Sequence, residues 1–422
     1  MKEFFPSIVG ASPDLQFINH SRKHSRGRLC HKRQELLQIK RVSGMVVGLM
    51  ETRVIKIDRA KIDAALIEEA AKIIDAGGLV AFPTETVYGI ACRVETKSLE
   101  RLNEVKGRQP EKPYTLHIGR KEDVAEYAPV IGLRARKLIE KLWPGPLTIV
   151  FELKPEQIAA QRVKLSREMF ENLYKNNSIG IRLSDDAVAS KLLQAVKWPV
   201  VAPSVNIADE RPATDAEQVL ANFRGKLDVV IDGGASRYKK SSTIVKIGAY
   251  DLRMLREGVY TAEQVRQAAT VGFLFVCSGN TCRSPMAAGM FRKYLAEKCG
   301  CTIDQIEEKG YKILSAGTMG IIGMPATAQA AAVCETRGVD ITGHRSSALS
   351  RQLIAQSDVI YAMSCFHLSQ IVSICPEAAD KCSLLAEAVD IPDPIGQTEE
   401  FYDNVASVIE GAVKKRIEEL VL

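Results

Sequence analysis

An α/β fold arranged as two successive domains is what this 422-residue sequence predicts. Three observations carry the prediction. Short apolar runs bounded by turn residues alternate with stretches of helical periodicity, the pattern of strands covered by helices. That alternation stops and restarts abruptly near residue 271 with a new buried strand. The second half then runs strand, loop, helix, strand, helix, strand, helix, the order of a small doubly wound sheet. With 46% hydrophobic and 26% charged residues, the chain has ordinary globular composition, and its length suits about two to four domains.

The elements follow in order. Val54-Ile55-Lys56-Ile57 alternates as a half-buried strand does. Residues 61–76 set Ile62, Leu66, Ala70, Ile73 and Ile74 on one helical face, and Gly77-Gly78 ends the helix. Residues 79–82 read as a buried strand, with further strands at 148–153, 200–202, 229–231 and 243–247. A helix over 261–269 closes the first unit, and the strand 273–276 begins only three residues later. No Gly/Ser-rich or Pro-rich linker intervenes, so the two domains are expected to lie against each other. Further strands are expected near 312–315 and 359–363, with helices near 326–337 and from about 399 to 420. The division is thus a basic extension (1–49), a first domain (50–270) and a second domain (271–422). No internal repeat relates the halves.

Charge is uneven. Residues 1–49 carry nine Lys/Arg against three Asp/Glu, the middle segment 35 against 30, and the last 13 against 18. The extension, with text such as Ser21-Arg22-Lys23-His24-Ser25-Arg26, has neither helical nor strand period and is expected to be poorly ordered. A uniform nucleic-acid-binding surface is not implied, although a basic arm favours approach to a polyanion. No run of eighteen apolar residues occurs and no secretory signal opens the chain, so a cytoplasmic protein without membrane contact is expected. Eight of the ten cysteines lie beyond residue 271 without paired zinc-ligand spacing. They read as reduced thiols, and no bound metal is expected.

Chemistry concentrates first in Cys277-Ser278-Gly279-Asn280-Thr281-Cys282-Arg283-Ser284-Pro285, between a buried strand and a helix with Pro285 at an early position. A loop so placed aims backbone N–H groups and a helix N-terminus at one point, a site for phosphate. The same field is expected to lower the Cys277 pKa and make it a thiolate nucleophile. Arg283 can fold back as a two-pronged clamp on phosphoryl oxygens. Asp393, in the proline-stiffened segment Asp390-Ile391-Pro392-Asp393-Pro394, is the candidate proton donor.

With Ser315-Ala316-Gly317-Thr318, Gly338-Val339-Asp340-Ile341, Gly343-His344-Arg345 and Asp393-Pro394, residues 272–422 resemble the low-molecular-weight protein tyrosine phosphatase family. The resemblance implies a small doubly wound parallel sheet and a cofactor-free protein phosphatase acting on a phosphoprotein. It makes Cys277 the nucleophile, Arg283 the phosphate ligand, Asp393 the acid and then base, Ser284 the partner of the thiolate and Asn280 the loop stiffener. Cys282 matches a second loop cysteine able to trap an oxidised nucleophile as a disulfide. Thr281, with Ile395 where relatives place an aromatic residue, resembles the protein-arginine phosphatase branch and implies a phosphoarginine substrate. The alternatives are a phosphotyrosine phosphatase and a thioredoxin-coupled arsenate reductase. The reductase would need a cysteine relay that Cys375 and Cys382 do not place correctly.

The first domain attaches short polar motifs to strand ends. Pro83-Thr84-Glu85-Thr86-Val87-Tyr88-Gly89 offers hydroxyls, Lys106-Gly107-Arg108 offers two cations for polyphosphate, and Ser204-Val205-Asn206 offers a hydroxyl and an amide. In this order, with Trp143-Pro144-Gly145-Pro146, Gly180-Ile181-Arg182, Asp232-Gly233-Gly234, Ser242-Thr243 and Leu255-Arg256-Glu257-Gly258, they resemble the YrdC-like threonylcarbamoyl-adenylate synthases over residues 54–268. The resemblance implies a YrdC-like twisted α/β domain that condenses L-threonine, bicarbonate and ATP, with Mg2+, to threonylcarbamoyl-AMP and pyrophosphate. Other proteins then pass the group to tRNA. It assigns ATP to Lys106, Arg108, Ser178, Ser204, Asn206 and Arg256, and threonine to Thr84, His117, Arg182 and Ser242. Ser241 replaces the usual Glu, and Ile207-Ala208-Asp209 the usual Leu-Ser-Gly. The longer members' C-terminal domain has no counterpart, the phosphatase-like segment standing in its place. A non-catalytic RNA-binding module is the alternative from another class.

Overall fold

A computed structural model describes residues 51–208, 210–387 and 389–421; the extension 1–49 and Asp209 lie outside the described residues. Fourteen strands form two sheets. The first ten are β1 (Arg53–Lys56), β2 (Val80–Phe82), β3 (Gly89–Arg93), β4 (Thr115–His117), β5 (Leu147–Glu152), β6 (Ser178–Arg182), β7 (Val200–Val201), β8 (Val229–Asp232), β9 (Thr243–Ile247) and β10 (Leu252–Arg256). They make one mixed sheet in the order β1-β8-β2-β3-β7-β4-β6-β5-β9-β10. The last four are β11 (Val271–Cys277), β12 (Tyr311–Gly317), β13 (Val359–Ala362) and β14 (Cys382–Leu384). Their order is β12-β11-β13-β14, parallel throughout.

Both sheets are covered on two faces, which is why their central strands read as unbroken apolar text. Phe273 and Phe275 pack into one cluster with Met286, Phe291 and Ile409, whereas Leu274 and Val276 enter a second with Ile354, Ile360 and Ile371. Successive residues of a strand point to opposite faces, so β11 feeds both cores. Each such fully buried side chain contributes about 1.5–3 kcal/mol. The same alternation divides Leu79 and Ala81 from Val80 and Phe82 in the first sheet.

Helices begin where capping chemistry allows. Asp63 caps the helix Ala64–Asp75, later than the periodicity alone suggests, and Gly77 turns away with φ 90°. Thr261 and Gln264 form a reciprocal capping box on Ala262–Ala269. Thr398 caps the terminal helix Glu399–Glu419. Among the described residues no helix is long and apolar enough to cross a membrane. All nine described cysteines are free thiols.

The two sheet systems meet along the helix Leu133–Leu142, as the missing linker led us to expect. Buried Arg134 donates to Lys309 O at 2.7 Å and stacks over the Tyr311 ring. Lys137 Nζ reaches both Asp358 oxygens at 2.7 and 2.5 Å. Asp358 Oδ2 also accepts from Gly272 N at 2.7 Å, at the foot of β11. Leu133 N donates to Val421 O and Tyr311 Oη to Tyr250 O.

Candidate functional site

Cys277 is the last residue of β11, and the helix Arg283–Cys299 starts six positions later. The turn between them closes because Asn280 takes a left-handed φ of 56° and is held on every polar atom. Its Nδ2 donates to Ser284 Oγ (2.8 Å) and Ser315 Oγ (2.9 Å), and its Oδ1 accepts from Ser347 N (2.8 Å). Its carbonyl lies 2.7 Å from His344 Nε2. A Cβ at Gly317 would come within 2.7 Å of Ser278 O, so β12 can press against the loop only as glycine.

Cys277 Sγ lies 2.9 Å from Ser284 Oγ and accepts from Asn280 N at 3.2 Å, which places Cys277, Asn280 and Ser284 together as expected. One expectation fails. Burial pushes the Cys277 thiol above its ordinary value, and the opposing pull of Ser284, Arg283 and the Asn280 N–H does not offset it. Arg283 is itself occupied. Its Nη1 donates to Ile391 O at 2.9 Å, and its Nη2 donates to Ser278 Oγ at 3.2 Å and pairs with Asp393 Oδ2. The proposed clamp and the proposed acid therefore meet directly. Thr281 stands at the loop's outer side, with its Oγ1 3.3 Å from where a Cβ on Gly279 would sit. Buried Cys282 places its Sγ 3.4 Å from both Thr327 Oγ1 and Tyr402 Oη.

In the first domain a cavity of ≈ 180 Å³ is lined by Thr84, His117, Thr148, Arg182, Ser242 and Arg256, among others. It adjoins a compartment of ≈ 320 Å³ lined by Lys106, Arg108, Ser204, Asn206 and Arg256. Arg108, Ser204, Ser241 and Arg256 border both. The sheet assembles the smaller cavity where β4 and β6 end and β5 begins: His117 is opposite Arg182, and Arg182 opposite Thr148. Arg182 Nη2 donates to Glu85 Oε1 (2.8 Å) and Thr86 Oγ1 (2.7 Å), while its Nε has no protein partner. Glu85, buried, also accepts from Ser184 Oγ and Asp185 N. His117 is buried with Nδ1 unpartnered, and burial, then Arg182, hold it well below the ordinary histidine value. Thr84 Oγ1 donates to Val87 O at 2.6 Å and orders the turn.

Lys106 is buried, yet among the described residues its Nζ meets only neutral acceptors: Ser204 O, Asn206 O at 2.8 Å and Asn206 Oδ1 at 3.3 Å. Burial, then Arg108, push it down to about 8. Arg108 stacks over Tyr114 and donates to Lys112 O and Pro113 O. Arg256 donates from Nε and Nη2 to Ser242 O, at 3.1 and 2.9 Å. A Cβ at Gly258 would come within 2.3 Å of Ser241 O, so this loop too closes only on glycine.

Ser178 is the exception among the expected ligands. It opens β6, four residues before Arg182, and its hydroxyl donates to Lys175 O in the preceding turn. At ~3.3 Å per residue that is about 13 Å from the cavity end of the strand, and Ser178 borders neither compartment. Sequence reasoning also missed residues. Glu85, Ser315 and His344 lie inside motifs already singled out; a carboxylate between buried hydroxyls at a strand end signals a buried cation partner. Ser278 lies inside the loop motif and Thr148 opens the strand expected over 148–153, but neither was singled out, and His367 carries no local signal.

Residues 72–258 match the Sua5, YciO and YrdC family model, described as "Telomere recombination", and residues 272–421 match the model for low molecular weight phosphotyrosine protein phosphatase. The threonylcarbamoyl-AMP synthase of Pyrococcus abyssi is 32% identical over 210 residues, 50% of this chain and 58% of that protein. The chain thus spans less than two thirds of that relative's length. A Methanocaldococcus jannaschii relative is 30% identical over 201 residues, 47% of this chain and 89% of its own. Among solved structures, Vibrio vulnificus Wzb in complex with benzylphosphonate is 30% identical, covering 36% of this chain and 99% of that one, with a TM-score of 0.32. The chain belongs to the threonylcarbamoyl-AMP synthase family through its first domain and carries a low-molecular-weight phosphatase domain behind it.

Proposed function

We propose that the chain is a two-site enzyme. Its first site makes threonylcarbamoyl-AMP and pyrophosphate from L-threonine, bicarbonate and ATP, for transfer to tRNA by other proteins. The observation that carries this reading is Lys106, a buried cation with three neutral acceptors and no carboxylate partner among the described residues, opening on a compartment also lined by Arg108 and Arg256. Against four lining cations, Lys106, Arg108, Lys112 and Arg256, the compartment sets one described carboxylate, Glu210, and the nucleotide phosphates supply the remaining anionic charge. The adjoining cavity presents Arg182 Nε and His117 Nδ1 without protein partners, suited to a carboxylate and a hydroxyl. Among the described residues no cluster of three or more His, Cys, Asp and Glu gathers; Mg2+ enters as part of the ATP complex. The residues position an oxygen of the carbamate, formed when the threonine nitrogen takes up bicarbonate carbon with loss of water, against the α-phosphate, and they neutralise the charge that develops as pyrophosphate leaves. ATP use and free thiols suit a cytoplasmic setting. ATP-dependent pyrophosphate release, measured with and without threonine, tests the reading: release that ignores threonine would overturn it.

The second site transfers a phosphoryl group. Cys277 Sγ bonds to phosphorus as the bond to the leaving oxygen or nitrogen breaks and Asp393 protonates that atom; water, deprotonated by Asp393, then frees phosphate and restores the thiolate. Asp393 occupies Arg283 Nη2 at rest, so an incoming phosphoryl group displaces it toward the leaving group. Loss of aryl-phosphate hydrolysis in Cys277→Ser, with pyrophosphate release intact, is the expected result; retained hydrolysis would remove Cys277 from the mechanism. Thr281 favours phosphoarginine, whose guanidinium can meet a side-chain oxygen. A phosphotyrosine reading is favoured by Phe366, exposed and adjacent in sequence to His367, with Met319 and Ile322 also exposed near the loop. They supply apolar walls that Ile395 alone does not.

A further inference from the structure

Behind the phosphate loop runs a chain of four polar side chains from three parts of the fold. Ser364 caps the helix Cys365–Ile374, His367 sits on that helix's first turn, Ser278 follows the nucleophile and Arg283 opens the helix after the loop. His367 is buried, with Nδ1 2.7 Å from Ser364 Oγ and Nε2 2.9 Å from Ser278 Oγ. Ser278 Oγ in turn lies 3.2 Å from Arg283 Nη2.

Hydrogen accounting orients the chain. A guanidinium has no acceptor, so Arg283 donates and Ser278 Oγ accepts. In the arrangement that gives the Ser278 hydroxyl hydrogen an acceptor in this chain, His367 Nε2 is the lone-pair nitrogen and Nδ1 carries the ring hydrogen, which it gives to Ser364 Oγ; that oxygen also accepts from His367 N at 3.4 Å. An imidazolium would reverse the Ser278 hydroxyl and set a cation beside Arg283. Burial, followed by Arg283, holds His367 down to about 4, which keeps the neutral form.

We propose that His367 is a positioning residue for the phosphate clamp, acting through Ser278 to fix the Nη2 edge of Arg283. The proposal rests on the phosphatase reading of this site, and it touches no reacting atom. Ile391 O fixes Nη1 from the other side, so the guanidinium is held at both edges while Asp393 alone can be exchanged for a phosphoryl oxygen. A planar fork offers paired donors to phosphate only when its rotation is set. Without the histidine, Ser278 is free to turn and the Nη2 edge loses its fixed acceptor.

The test uses the full chain, p-nitrophenyl phosphate as substrate and inorganic phosphate as competitive inhibitor. His367→Leu is expected to raise KM and the phosphate inhibition constant about tenfold, the loss of one charge-assisted contact, with a smaller change in kcat. Ser278→Ala removes only a hydroxyl at a partly exposed position and is expected to do the same, which keeps the proposal testable if the leucine variant does not fold. The double variant is expected to be no worse than either single one, because both break one chain. His367→Gln, which restores an acceptor at the Nε2 position, is expected to recover most of the loss. Wild-type KM and phosphate affinity in Ser278→Ala, or additive losses in the double variant, would overturn the positioning role. A wild-type chain that hydrolyses no aryl phosphate would instead overturn the phosphatase reading beneath it.

Discussion

Raising the pH should weaken ATP use through Lys106 alone. Its ammonium is buried against Ser204 O, Asn206 O and Asn206 Oδ1 and is pushed from 10.5 down to about 8. Over those units, at about 1.36 kcal/mol each, burial without a counter-charge costs the charged form roughly 3 kcal/mol. A bound polyphosphate supplies that counter-charge, so ATP binds the protonated lysine. The KM for ATP, read from threonine-dependent pyrophosphate release, is expected to be flat below about pH 7.5 and to rise toward tenfold per unit above pH 8. Lys106→Met should raise KM below pH 8 by roughly 10–100-fold, one charge-assisted contact, and abolish the rise, so the gap from wild type narrows at higher pH. Lys106→Arg, charged throughout, should abolish the rise while keeping part of the affinity. The ligand-free chain should respond oppositely: the unfolded lysine titrates near 10.5 and the folded one near 8. Its burial penalty is therefore complete below pH 8 and is relieved as the pH climbs toward 10.5. A wild-type KM flat to pH 9.5, or a rise that survives in Lys106→Met, would refute the reasoning.

Three other outcomes are expected. Asp393→Asn should lower aryl-phosphate kcat roughly 10²–10⁴-fold, the size of a lost general acid, while inorganic phosphate inhibits at least as tightly as in wild type because Arg283 Nη2 is released; weaker inhibition would show that Asp393 does not compete for the clamp. Glu85→Gln leaves the Arg182 guanidinium buried without its carboxylate and should cost about 3–5 kcal/mol, seen as a fall of about 10 °C in the Tm of the first domain by calorimetry, together with a higher KM for threonine; a Tm within a degree of wild type would refute it. Thr281→Ile should lower kcat/KM for phosphoarginine and raise it for phosphotyrosine, and a preference that does not move would remove Thr281 from substrate choice.

What the residues disclosed in advance was whatever a few consecutive positions could encode. The strand Val271–Cys277, its loop and the helix behind it are contiguous, and so were readable as one unit. The pairs Lys106/Arg108 and Ser204/Asn206 were legible for the same reason, although their contact with each other spans about a hundred residues and appears only once β3 and β7 pair. Ser178 stands apart from both compartments because the strand end that faces the cavity is decided by pairing. β6 runs parallel to β4 and antiparallel to β5, which sends Arg182 inward and leaves Ser178 at the far end. The direction of the Cys277 pKa was misjudged because the loop's field is local and visible in sequence, whereas the burial that outweighs it exists only in the folded core. A strand as short as Thr115–His117 carries too few positions to show a period.

The carboxylate of Asp358 joins the synthase helix to the backbone at the foot of the nucleophile's own strand. Separating the halves with a stop and a start would expose every partner in this seam. A liberated phosphatase would carry an acidic group chosen for a lysine it no longer has, and a ring, Tyr311, stripped of the arginine stacked on it. The liberated synthase would in turn keep Arg134 and Lys137 without their acceptors. The seam has become a shared organ of both halves, so sequence changes on one side are answerable to the other. Lineages that carry the two units on separate genes should therefore differ from this chain at these seam positions first, well before they differ at Cys277 or Lys106.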